Sequence, residues 1–107
     1  MSLEELYLIL KGTELPVAYS HFNEITSPPY ITYLSVSSSN FYADNKVYAK
    51  IYNIQIELYT KHKDLEVERK LEDILDKNEI AYETIEEWIE SEKLFQKIYE
   101  IKIWQDF

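Results

Sequence analysis

Apolar positions along this chain follow two periods, and the switch between them lays out the elements. Leu3, Leu6, Tyr7 and Leu10 recur at helical spacing behind Ser2, with Glu5 three residues after the serine. That is a capping box opening a short amphipathic helix. Gly12 is expected to end it in the left-handed conformation. Leu15 to Phe22 reads as a short extended stretch with Pro16 at its start, and Asn23 to Pro29 as a loop held non-helical by its two prolines. Tyr30 to Val36, β-branched and aromatic, predicts a strand, and Ser37 to Asn40 a polar turn.

The longest period-two segment is Val47 to Tyr59. From Asn53 onward one face is apolar and the other polar, as in a half-buried strand. Before that point both faces carry apolar residues, which predicts cover on both sides, supplied by a neighbouring subunit. Asp64 is an N-cap for a second helix of about 13 residues, with Val67, Leu71, Ile74 and Leu75 on one stripe. Glu66, Glu68, Arg69, Lys70, Glu72 and Asp73 are assigned to its other faces, and Asn78 is the expected stop. Ile80 to Ile89 begins with strand-like alternation and ends as strand or helical turn. Glu90 to Lys93 is a connecting turn, and Leu94 to Trp104 a closing strand.

Helix, strands, helix, strand pair is the order of an α+β domain. The expectation is one domain over residues 1–107, with an antiparallel or mixed sheet of four to five strands and two helices on one face.

Composition narrows the chemistry. None of the 107 residues is cysteine, which excludes disulfides, thiol nucleophiles and zinc–cysteine sites. Gly12 is the single glycine, so phosphate-cradling loops, dinucleotide fingerprints and nucleophile elbows cannot be built. His21 and His62 are the only histidines and stand in no metal-ligand spacing. No enzyme class, cofactor or metal is indicated. No apolar run reaches the roughly 20 residues of a membrane helix. No basic–apolar–small leader is visible at the start, which predicts a protein used in the cytosol or packed into a larger particle.

Twenty acidic residues against eleven basic ones give a net charge of −9, which argues against non-specific nucleic-acid binding. Glu79, Glu83, Glu86, Glu87, Glu90 and Glu92 form a run without lysine or arginine among them. It reads either as a face for a basic partner, or as a solvated rim. Residues 25–43 hold no charge at all, in a chain that is 29% charged. That gap contains Phe41 and Tyr42, which either meet a partner or fold back on the core. With the doubly apolar start of the long strand, the candidate subunit interface is Tyr30, Tyr33, Phe41, Tyr42, Val47, Tyr48 and Ile51.

Two stretches carry a resemblance: Asn40-Phe41-Tyr42-Ala43-Asp44-Asn45-Lys46-Val47-Tyr48, and Tyr52-Asn53-Ile54-Gln55-Ile56-Glu57-Leu58-Tyr59-Thr60-Lys61. With the Leu65 to Leu75 helix, Ile80-Ala81-Tyr82-Glu83 as a short strand, and the upstream Leu15-Pro16-Val17-Ala18-Tyr19 and Pro28-Pro29-Tyr30-Ile31, the chain resembles small tail-completion proteins of tailed phages and prophages of Gram-positive bacteria. These are also called tail terminators or head–tail joining proteins. The resemblance implies a non-enzymatic virion protein at the head–tail junction. It implies a ring, usually sixfold, that caps the tail tube, ends its growth and docks on the head connector. Its partners are then further copies of itself, the tube protein and connector proteins, with DNA passing through and the acidic run lining the channel. Two other readings stay open: an acidic DNA-mimic inhibitor, and an antitoxin-like module acting on a basic partner.

Overall fold

The computed structural model describes residues 1–106, and the side chains up to Trp104. The chain forms one α+β domain built on a six-stranded mixed sheet. The elements are α1 (Leu3–Lys11), β1 (Val17–Tyr19), β2 (Tyr30–Ser38), β3 (Phe41–Ala43), β4 (Lys46–Thr60), α2 (Leu65–Lys77), β5 (Glu83–Ile89) and β6 (Leu94–Asp106). The sheet runs β1-β2-β4-β6-β5, and β3 pairs with β4 beyond the end of β2. Only β1 and β2 are parallel; the other pairs are antiparallel. Six strands replace the expected four to five, because the hairpin partner β3 is too short to show a period of its own.

Both helices lie on one face of the sheet, as their stripes require. Leu6 and Leu10 of α1 and Leu71 and Leu75 of α2 share a core with Ile31, Ile54, Ile56, Leu58, Tyr99, Ile101 and Ile103. Each of the four leucines is fully buried, which stabilises by about 1.5–3 kcal/mol per side chain. Ser2 caps α1 by accepting from the Glu5 N–H at 3.1 Å, and Asp64 caps α2 by accepting from the Val67 N–H at 3.2 Å.

Both helices stop where expected, at Gly12 and Asn78, but Gly12 does not take the expected left-handed conformation. Gly12 is right-handed (φ −62°), and the positive φ falls on Glu14 at 67°. Glycine at position 12 serves close packing instead. A Cβ there would sit 3.0 Å from the Ile9 carbonyl oxygen and 3.3 Å from Ile74 Cδ1, so the two helices approach over it. Asn78 ends α2 through its side chain, donating to the Ile74 carbonyl at 2.8 Å, while Glu79 takes the left-handed position at φ 56°.

Two strand boundaries are also corrected. Residues 37 and 38 continue β2, and the chain reverses instead at Asp44-Asn45, both at positive φ (51° and 63°). Two such central residues form the primed turn that matches the twist of a two-residue hairpin. Ile80-Ala81-Tyr82 is loop, because Ile80 turns into the core as a staple after α2; β5 starts at Glu83 and runs as strand to Ile89. The Glu90 to Lys93 turn is where the sequence puts it.

Candidate functional site

The backbone of β4 and β6 forms one unbroken antiparallel ladder, from Thr60 opposite Phe95 to Ala49 opposite Asp106. The helices cover only its first half. Past Tyr52 and Ile103, where β2 ends, β4 continues with β3 alongside, and the β3–β4 hairpin projects beyond the end of β6 as an arm. The chain is accordingly elongated, with extents of 49 × 30 × 24 Å.

Alternation fixes which side chains share a face of the arm. Tyr52 and Ile103 are opposite each other on the helix side. Ile51 and Trp104 are opposite each other on the reverse side, where Phe41 faces Ala49. The Phe41 and Trp104 rings lie 6.0 Å apart. The arm's root is stitched by polar groups. Asn40 Oδ1 accepts from the Ile51 N–H at 3.1 Å. Asn53 Nδ2 donates to Ser37 Oγ and Ser39 Oγ, each at 2.9 Å, and Asn53 Oδ1 accepts from Lys102 Nζ at 2.8 Å. The serine run thus anchors the arm where β2 bulges between Ser35 and Ser37.

Four of the seven residues expected at an interface meet on this arm: Phe41, Tyr42, Val47 and Tyr48 are all exposed. The remaining three lie elsewhere or inside. Ile51 is 4% exposed at the arm's root. Tyr33 is 6% exposed, packed edge-on against Tyr19 at 5.2 Å; burial, then the neighbouring Tyr7 and Tyr19, push its hydroxyl pKa up. Tyr30 sits at the opposite end of the sheet, stacked on Tyr59 at 5.0 Å and edge-on to Phe22 at 5.3 Å. Tyr33 is core, because odd positions of β2 point to the helices.

The six glutamates of the acidic run do not form one face. Glu83 and Glu87 lie on one side of the edge strand β5, and Glu86 lies on the other. Glu86 Oε1 receives Lys63 Nζ at 2.6 Å. Glu90 is held by Lys93 and by Trp88 Nε1, the latter at 2.6 Å; the Lys93 hydrogen bond comes first in holding its carboxyl below the usual range. Glu79 lies at the end of α2, and Glu92 borders a cleft with Phe22 and Tyr30.

A cluster the sequence reading missed joins α2 to the sheet. Glu68, only 5% exposed, receives Lys63 at 2.8 Å and Lys97 at 2.7 Å. Lys97 also lies 3.5 Å from Glu72, whose Oε2 accepts from the Tyr99 hydroxyl at 2.7 Å. Burial pushes the Glu68 carboxyl up, but hydrogen bonds and charge from the two lysines outweigh it and hold the pKa below its ordinary value. Burial likewise opposes the charge on Lys97, and Glu68 overcomes it and raises that pKa. Burial, then the bond to Glu72, drives the Tyr99 hydroxyl far above the usual tyrosine range. The signal was available: Glu68 stands three residues before Leu71 and seven before Leu75, on the apolar stripe itself.

Among the described residues no three His, Cys, Asp or Glu side chains gather to hold a metal, and no helix is long and apolar enough to cross a membrane. His21 contacts Ser20 and His62 lies 4.0 Å from Asp64. The molecule presents an aromatic arm at one end and an ion-paired edge at the other. Neither the known protein families nor the curated proteins contain a match to this chain.

Proposed function

We propose that this chain is a non-enzymatic subunit of a phage tail, which caps the tail tube as a ring, ends its polymerisation and presents the head-joining surface. The observation that carries this reading is the arm. A monomer that folds for its own sake has no use for a three-stranded extension with aromatic side chains on it, since exposed apolar patches of this kind mark contact sites. Ring subunits need such a feature, because head-to-tail contacts join two different patches and close by rotation. The resemblance of residues 40–61 to tail-completion proteins falls on the arm and on the strand that carries it into the core.

The DNA-mimic alternative draws less support. A mimic gains by presenting carboxylates together, whereas these are divided between two faces, and Lys63 and Lys93 occupy two of them. The same division leaves Glu83 and Glu87 as the pair available to line a channel.

Light scattering on a sizing column over a concentration series, with negative-stain images, tests the proposal. Rings of about six subunits that bind purified tail tubes are the expected result. A chain that stays monomeric at every concentration and ignores added tubes overturns it.

A further inference from the structure

The helix layer ends before the sheet does, and this leaves a groove of about 840 Å³ across the strands. Its floor includes Ile54, Ile101 and Ile103; Met1, Ile80 and Ala81 line it as well. The groove is a different patch from the arm tip, although Trp104 at the arm's root borders it. The arm cannot bend back into it, because the β4–β6 ladder runs unbroken from core to arm.

We infer that the groove receives the arm tip of a second copy of this chain, with Phe41 and Tyr42 entering over Ala81. Three observations carry this. The first is area. Phe41, Tyr42 and Tyr48 are 59%, 73% and 56% exposed. At about 150–250 Å² per aromatic side chain they leave on the order of 350 Å² uncovered. That approaches half of the about 800 Å² each partner gives to a standard interface. The second is charge. The arm segment 41–50 carries Lys46 and Lys50 against Asp44, in a chain of net −9, and the groove is bordered by Glu79 and Glu83. The third is shape: a donor arm and an acceptor groove on one chain make a heterologous contact, the type that propagates into rings. The inference deepens the ring reading and rests on it for closure.

The absence of cysteine makes the test clean, since every cross-link comes from introduced thiols. Tyr42→Cys and Ala81→Cys both fall on exposed residues. Under mild oxidation, the double variant is expected to give a ladder of covalent oligomers. The two single variants, mixed, are expected to give a dimer band, and each alone none. A dimer from Tyr42→Cys alone means tip-to-tip packing and overturns the inference. No cross-link at any concentration overturns it too. A second variant, Ala81→Arg, fills the groove and should weaken self-association at least tenfold while the thermal transition stays in place; unchanged association overturns the inference. Rings without the mixed cross-link refute this docking and leave the tail reading standing. Cross-linked oligomers that never cap a tail tube do the reverse.

Discussion

Strand β4 is backbone-paired at both of its ends, to β3 at one and to β2 and β6 at the other, yet the two ends have opposite surroundings. From Ile54 to Thr60 the helix-side residues of β4 are all buried under α1 and α2. From Lys46 to Tyr48, β4 is exposed, flanked by the short β3. Strand pairing is therefore not what separates the core of this molecule from its exposed end. The second layer makes the difference. Where helices supply it the sheet is core; where they stop, the same strand lies exposed.

The sharpest way to break the comparison is to remove cover from the inner half. Leu71→Ala is expected to lose about 2–5 kcal/mol, since its side chain is fully buried between helix and sheet. Urea unfolding measures this, and an undisturbed midpoint contradicts the assigned core.

Next in size is the charged cluster that ties α2 to β6. Glu68→Gln leaves Lys97 half-buried without its closest counter-charge, for an expected loss of about 1–3 kcal/mol. The cluster also sets a pH dependence. The folded-state pKa of Glu68 lies below its ordinary value of 4.5, so its stabilisation is present above that value and is lost as pH falls through the folded pKa. Acid unfolding of Glu68→Gln should therefore have a shallower dependence in that window than the parent. Equal slopes count against the assignment.

The smallest effect on folding, and the largest on assembly, belongs to the arm. Tyr42→Ser should move stability by less than about 0.5 kcal/mol, because its side chain is exposed. Calorimetry paired with analytical ultracentrifugation checks this. A large loss of stability makes the arm part of the core and erases the contrast between the halves.

Much of the fold was legible in periodicity. The caps at Ser2 and Asp64, the α2 stripe, and the long strand with both faces apolar at its beginning all stand where the residues put them. The errors have physical causes. Serines 37–39 look like a turn by composition, but the Ser37 and Ser39 hydroxyls accept from Asn53 and stitch the arm's root, while the Asp44-Asn45 pair carried the better turn signal. Gly12 invites a left-handed reading, yet its missing Cβ serves the packing of Ile74. Of the candidate site, adjacency in sequence served Phe41, Tyr42, Val47 and Tyr48 because they share one hairpin. It failed for Tyr30 and Tyr33, which are near in sequence but on opposite faces of β2. It failed again for the glutamates, whose strand deals them alternately to two sides.

The unbroken ladder also orders events in time. Its rung nearest α2, Thr60 with Phe95, closes the shortest stretch of chain, and each rung toward Ala49 and Asp106 closes a longer one. Loop-closure entropy grows with that length, so zipping proceeds from the helix end outward. The β3–β4 hairpin closes only the Asp44-Asn45 turn and forms locally, so the last step is the joining of the end of β6 to it. The full width of the sheet at the arm's root is complete only on a chain whose core has already closed.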